Sequence, residues 1–132
     1  MAEEQNSEHV VSLLRYRMRD LTPAQHQEYS STAERLFTLA SAMPGFISVR
    51  HYTGDDGESM LVVEFASAAA LAAWHDHPEH RKAQQRGRDD FFGEWDVTNC
   101  ALLRRYGRKP NADHATRRGN WRLLKLGTRR AV

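Results

Sequence analysis

The chain's 132 residues suffice for one domain with a core of its own, and 40% hydrophobic and 27% charged residues are ordinary values for a globular protein. No apolar run approaches the roughly 20 residues that a membrane helix needs, and the acidic, polar start lacks the basic and apolar regions of a secretory signal. The net charge is only +2. The single cysteine, Cys100, excludes an intramolecular disulfide and suits a reducing compartment, so we expect a cytoplasmic protein.

The first predicted elements are a strand and an amphipathic helix. After a frayed start over residues 1–8, partial alternation of β-branched and aromatic residues over 9–20 predicts strand one. Thr22 and Pro23 then predict a helix start, because threonine caps helices and proline suits the first helical position. Apolar residues recur at spacings of three and four until a Pro-Gly pair ends the helix near Met43.

Two further strands follow, joined by a hairpin. The alternation over 46–53 divides the second strand into two faces, one with Phe46, Ser48, Arg50 and Tyr52 and the other with Ile47, Val49 and His51. Residues 54–57, Gly-Asp-Asp-Gly, predict the hairpin turn. Residues 59–66 are more continuously apolar, which indicates a more central strand.

The stretch from residue 67 to 95 predicts a broken helix. Ser67 is a candidate N-cap for an alanine-rich segment, and Pro78 breaks it by biasing His77 away from helical angles. A polar segment resumes, and residues 95–106 predict the last strand. The order βαββαβ indicates an α+β, ferredoxin-like protomer: two split βαβ units forming an antiparallel sheet with both helices on one face.

The C-terminal residues differ from the rest in charge. We expect a flexible N-terminus over 1–8, one folded domain over 9–107 and a basic tail over 108–132, which holds eight basic residues against Asp113 alone, a net of +7. Such a tail could bind nucleic acid or another acidic partner. Without a recognisable reader motif, a tail that is solvated or embraces a second subunit is favoured.

The strings MPGFISVRHY and LVVEFASAAALAAWHDHPEHRKAQQRGRDDFFGEWDV, separated by the hairpin, resemble the antibiotic biosynthesis monooxygenase (ABM) family. The resemblance covers roughly residues 9–107. It implies a ferredoxin-like protomer that pairs with a second copy through the open sheet face, as a dimeric α/β barrel, with a substrate cavity between sheet and helices. Characterised relatives either oxidise aromatic polyketides without metal or flavin, or bind and degrade haem.

The haem branch of the resemblance departs from this sequence at two points. That branch places an axial histidine ten residues after the helix tryptophan, where this chain has Gln84. It also carries an asparagine on strand one that has no counterpart here. The resemblance therefore implies no cofactor, with haem as the weaker alternative.

Cofactor-free oxygenation needs a base, a donor for developing negative charge and a dry pocket. The candidate base is His80 or His51, and the candidate donors are Arg88, Arg50 and Tyr16. The candidate substrate-binding walls are Phe65, Trp74, Phe91 and Phe92, with Gln84 also facing the site.

Each candidate also has a structural alternative. Trp74 ends an apolar helix face and could be a core anchor, and both phenylalanines could be packing residues. Arg88 could pair with Asp89 or Glu94.

The histidines near the helix break and the cysteine also have structural alternatives. His77 could cap the second helical segment, with His75 and His80 partly exposed. No metal site is predicted, because these histidines lack a third ligand of fixed geometry. Cys100 is expected to be a buried small hydrophobe in the last strand.

We therefore expect a homodimeric, cofactor-independent monooxygenase that oxidises a small aromatic or quinol-like metabolite with O2 in a hydrophobic pocket. The alternatives are a haem-binding or haem-degrading monooxygenase, and a ligand-binding dimer of the same fold without catalysis.

Overall fold

The computed structural model describes residues 8–108, so the predicted N-terminal segment, apart from Glu8, and the basic tail beyond Arg108 lie outside the described residues. The strands are β1 (Val10–Met18), β2 (Phe46–Thr53), β3 (Ser59–Phe65) and β4 (Phe92–Ala101), and the helices are α1 (Pro23–Ser41), α2 (Ala68–His75) and α3 (Pro78–Arg86). A π-helical turn over Gly87–Phe91 joins α3 to β4. The predicted element order is confirmed.

The strands form one antiparallel sheet in the order β2-β3-β1-β4, the ferredoxin-like arrangement that the sequence predicts. β3 and β1 occupy the centre, which confirms that the more continuously apolar strand is a central one. The predicted hairpin turn closes with Gly57 N donating to Gly54 O at 3.0 Å. Thr22 caps α1 in a capping box with Gln25, as its position before Pro23 predicts.

The strand register fixes which side chains share the helix-facing side of the sheet. Residues directly opposite each other in an antiparallel pair point to the same face. One row across the sheet contains Thr53, Ser59, Tyr16 and Trp95, and the next contains His51, Leu61, Leu14 and Val97. At the other end of the strands a row contains Phe46, Phe65, Val10 and Ala101.

The core lies at this second end of the sheet. Phe65 is completely buried and packs with Ala40 of α1 and Trp74 of α2. Val10 and Phe46 pack against the same group. The core therefore packs α1 and α2 against β1, β2 and β3, while most residues of β4 are exposed.

The structure corrects three predictions about strands. An irregularity between Phe46 and Ser48 turns Phe46 to the helix-facing side, where its ring lies 5.8 Å from that of Phe65. The last strand begins three residues earlier than predicted and ends at Ala101, because the chain leaves the π-helical turn directly into pairing with β1. Cys100 is exposed rather than buried, because it is opposite Val11 on the sheet face that carries no helices.

The opposite face of the sheet carries ion pairs at both ends. Arg15 and Arg17 of β1 reach acidic residues on both sides, namely Glu58, Asp96, Asp56 and Glu94. At the far end the buried Glu64 accepts hydrogen bonds from Arg105 and pairs with His9 at 2.8 Å. Between these ends lie four half-buried apolar side chains, Val11, Leu13, Met60 and Val62.

None of the helices between residues 8 and 108 is both long and apolar enough to cross a membrane.

Candidate active site

The broken helix is built by two caps and a proline. Ser67 Oγ accepts from Ala70 N at 3.1 Å to start α2, and His77 Nδ1 accepts from Glu79 N at 3.2 Å to start α3. Pro78 occupies the first position of α3, where its missing N–H leaves no bond unmade. His77 therefore serves as a cap, as its structural alternative expected.

His80 is tied to the tryptophan before the break. Its ring stacks on Trp74, with centroids 4.1 Å apart and planes 16° apart, and Nδ1 lies 3.0 Å from the Trp74 carbonyl oxygen. A carbonyl oxygen only accepts, so the neutral ring carries its proton on Nδ1 and leaves Nε2 as an acceptor. Burial lowers the pKa of His80, the carbonyl contact opposes this, and neighbouring His75 and His77 lower it further.

A second group of aromatic side chains lies at the other end of β1, and we call it the Tyr16 cluster: Tyr16, Tyr29, His51, Phe91 and Phe92. The Tyr16 ring lies 4.8 Å from that of Phe92 and 6.5 Å from that of His51. The Tyr29 hydroxyl donates to the Tyr16 hydroxyl at 3.5 Å, and its ring meets Phe91 edge-on at 5.4 Å. Burial, and then the neighbouring Tyr16, raises the pKa of Tyr29 well above its ordinary value.

His51 is the titratable base of this cluster. It is half-buried, and that burial lowers the pKa of its imidazole, which favours the neutral form near pH 7. Among residues 8–108 no hydrogen-bond or ion-pair partner engages its ring nitrogens. Across β3 the small Ser59 lies opposite both Tyr16 and Thr53, one row from His51 and Leu61.

The two groups are separated along the sheet. Trp74 packs near Val10, whereas Tyr16 lies six residues further along β1, which is roughly 20 Å at about 3.3 Å per residue. The structure therefore does not bring all the predicted site residues together. Phe65 and Trp74 belong to the core at one end, while Tyr16, His51, Phe91 and Phe92 share the other.

The π-helical turn positions Arg88 beside the Tyr16 cluster. Its guanidinium lies 5.3 Å from the ring centroid of Trp95, which is directly opposite Tyr16 in the sheet. Arg19 holds the turn by donating to the carbonyl oxygens of Arg88 and Phe92 at 3.2 and 2.9 Å. π-Helical turns occur frequently at functional sites.

Two other predicted residues lie elsewhere. Arg50 is opposite Val62 on the far face of the sheet, where its guanidinium lies over the Tyr52 ring. Gln84 Nε2 donates to the His75 carbonyl oxygen at 3.1 Å and so braces the helix break.

Two residues at the site were not among the sequence candidates, Tyr29 and Trp95. Tyr29 is one of the residues that recur at spacings of three and four along the predicted first helix, and Trp95 is the first residue of the predicted last strand. The hydrogen bond between the two hydroxyls places Tyr29 beside Tyr16, and the register of β4 with β1 places Trp95 there.

Within residues 8–108 no three His, Cys, Asp or Glu side chains gather where they could hold a metal ion. A groove of about 290 Å³ runs along α1 and is lined by Ser31, Glu34, Arg35, Thr38 and Leu39. None of these residues belongs to the predicted site, and the groove does not bear on the chemistry.

A family model described as antibiotic biosynthesis monooxygenase matches residues 12–86. The uncharacterized protein YqjZ of Bacillus subtilis is 35% identical over 69 residues, which is 52% of this chain. That match spans only 60% of the length of YqjZ, so it does not carry the properties of the whole relative.

Solved structures show the same fold. Rv0793 from Mycobacterium tuberculosis has a TM-score of 0.61 at 21% identity, covering 75% of this chain and 99% of its own. SnoaB from Streptomyces nogalater, described as a cofactor-independent oxygenase, has 0.54 at 12%, covering 79% and 97%. A dimeric ferredoxin-like protein from Thermobifida fusca has 0.58 at 18%, covering 73% and 92%. At these identities the likeness concerns the fold alone.

Proposed function

The chain belongs to the antibiotic biosynthesis monooxygenase family, and on that premise we propose that it oxidises a small aromatic or quinol-like metabolite with O2, without a metal or flavin. The observation that carries the proposal is the composition of the Tyr16 cluster. An imidazole with a lowered pKa, two phenols and aromatic walls lie together there, with Arg88 alongside. These are the base, the donors and the apolar surroundings that cofactor-free oxygenation needs.

We assign the base to His51 rather than to His80, although the sequence offers both. His51 has a potential donor nearby, the phenol of Tyr16. His80 stacks on Trp74 and uses Nδ1 to bind its carbonyl, and its ring neighbours are Trp74 and the other histidines of the break. A base without a donor for the developing anion would leave negative charge unstabilised in a partly buried site.

The proposed reaction converts an activated CH2 group and O2 into a ketone and water. His51 removes one C–H proton, and the hydroxyl of Tyr16 donates to the oxygen on which the negative charge of the substrate develops. The anion reduces O2 and combines with it, giving a peroxide that takes the proton from His51. Removal of the second C–H proton then breaks the O–O bond, so hydroxide leaves, is protonated to water, and a carbonyl remains.

The alternative haem reading finds less support among the described residues. The side chain at the position of the axial ligand in the resembling haem branch is an amide, Gln84, and it is already bound to the His75 carbonyl. His80 is four residues nearer the break and has one ring nitrogen engaged. We therefore propose no haem step. A non-catalytic ligand-binding protein of the same fold stays as the second alternative.

Oxygen uptake is the test of the proposed activity. With an anthrone as substrate, and with the protein stripped of metals by a chelator, we expect uptake at least about 100-fold above the spontaneous rate. One O2 should be consumed for each anthraquinone formed. The heat-denatured protein is the control. Uptake no faster than this control across a panel of anthrones and quinols contradicts the proposal, and so does activity that requires added haem.

We also propose that the protein acts as a homodimer joined through the open face of its sheet. The apolar centre of that face, with Leu13 and Val62, lies between two charged ends, and the helices are on the other side. By sedimentation we expect a molecular mass of twice the 15.2 kDa of one chain. The Leu13→Glu variant should sediment as a monomer. A monomeric wild type contradicts this.

The single exposed Cys100 supports a reducing compartment such as the cytoplasm as its location.

A further inference from the structure

Trp95 is a large aromatic side chain that the fold leaves open. It is 45% exposed although it lies on the helix-facing side of the sheet, because β4 is the edge strand beyond the helical layer. Val97, two residues further along β4 and on the same face, is 48% exposed. Trp95 and Val97 form an apolar strip. Since Trp95 is directly opposite Tyr16, this strip extends from the Tyr16 cluster to solvent.

The Arg88 guanidinium lies over this exposed ring, and neither neighbouring carboxylate pairs with it. Asp89, its neighbour in sequence, accepts from Gln85 at 2.8 Å, and Glu94 lies 3.6 Å from Arg17. Between residues 8 and 108 no carboxylate forms an ion pair with Arg88. The structural alternative from the sequence, pairing with Asp89 or Glu94, is therefore not what the fold selects.

We propose that Arg88 and Trp95 form a subsite for the acidic group of an aromatic substrate, so that the enzyme prefers rings that carry a carboxylate. The aromatic ring would lie against Trp95 beside Tyr16, and the carboxylate would accept hydrogen bonds from the Arg88 guanidinium. This subsite rests on the proposed function, because it concerns the substrate of the same site.

The chemistry of the two side chains supports a carboxylate. Guanidinium groups bind carboxylates with two parallel hydrogen bonds, and such charge-assisted bonds are about twice as strong as neutral ones. The cation also stays attractive to the face of the indole while it binds the anion. Among residues 8–108 three other arginines lie over aromatic rings. Arg86 lies over Phe91 of the Tyr16 cluster, but Asp90 and Glu28 already pair with its guanidinium. The pairs of Arg50 with Tyr52 and of Arg104 with Tyr106 do not adjoin the cluster.

Equilibrium binding of two matched probes tests the subsite without turnover. 2-Naphthoate and 2-naphthylmethanol have the same ring and similar size and differ in charge. By calorimetry we expect the full-length protein to bind naphthoate at least about 10-fold more tightly. Arg88→Gln should abolish the preference, and Trp95→Ala should weaken both ligands by a similar factor. Arg81→Gln, at an exposed position on α3, is the control and should keep the preference.

The possible failures are distinguishable. If both probes bind with equal affinity, or if Arg88→Gln keeps the preference, the subsite is wrong and the proposed oxidation is untouched. If Trp95→Ala changes neither affinity, the ring does not lie on Trp95 and the subsite is again overturned. If neither probe binds the wild type, the subsite is overturned, and oxygen uptake with anthrones decides the proposed oxidation separately.

Discussion

Replacing His51 with glutamine is expected to lower kcat by at least about 100-fold, because a positioned general base contributes 10²- to 10⁴-fold to a rate. Glutamine keeps the polarity and approximate size of the side chain but cannot accept the substrate proton. The loss should appear in oxygen uptake by a protein with an unchanged unfolding transition. His26→Gln is the matched control, since His26 is an exposed histidine on α1.

The pH dependence of the wild type provides an independent readout of the same base. Burial lowers the pKa of His51 from its ordinary value of 6.5, and only the neutral imidazole removes a proton. Activity should therefore be complete above pH 6.5 and fall as the pH decreases through the lower pKa of the folded state. A profile that instead loses activity only above neutral pH would contradict His51 as the base.

Replacing Gly45 with alanine is expected to lower the free energy of unfolding by about 2–5 kcal/mol, through two effects. Gly45 has φ +86°, a region that side chains rarely adopt, and an added Cβ would lie 2.7 Å from the Cβ of Ala70 on α2. Its carbonyl oxygen also accepts from Ala66 N at 2.7 Å, so a shift here would move the start of α2 away from β2. Urea unfolding measures the loss.

Gly57 separates the two effects. It has nearly the same backbone angle, φ +88°, but an added Cβ would meet nothing within 4 Å. Gly57→Ala should therefore cost only the backbone term, about 1–2 kcal/mol. The difference between the two variants measures the contact with α2. Equal losses would show that α2 does not press on Gly45 as described.

The sheet and helices were predictable because their signals are local. Thr22-Pro23, the Gly-Asp-Asp-Gly turn and Pro78 act through neighbouring backbone groups, and each ended or began an element where predicted. The face of Phe46 was not predictable, because strict alternation ignores an irregularity that only pairing with β3 shows. The start of β4 was missed for a similar reason, since the π-helical turn has no pattern in sequence.

The candidate site was predictable in residue types but not in grouping. His51, Tyr16 and Phe92 are far apart in the chain, and the register of β1 with its neighbours brings them together. The same register places Arg50 on the other face and adds Trp95. The broken helix, which carries much of the family resemblance, also contains His80, but the contacts of His80 are those of a brace for the helix break.

The central claim, that the base lies in the Tyr16 cluster and not at the broken helix, is tested most directly by comparing kcat of His51→Gln with that of His80→Gln. Both histidines have pKa values lowered by burial, so the pair is matched in chemistry and differs in place. Measured per folded molecule, His80→Gln should retain kcat within a few-fold while His51→Gln loses at least about 100-fold. A large loss in His80→Gln with His51→Gln active would contradict the account.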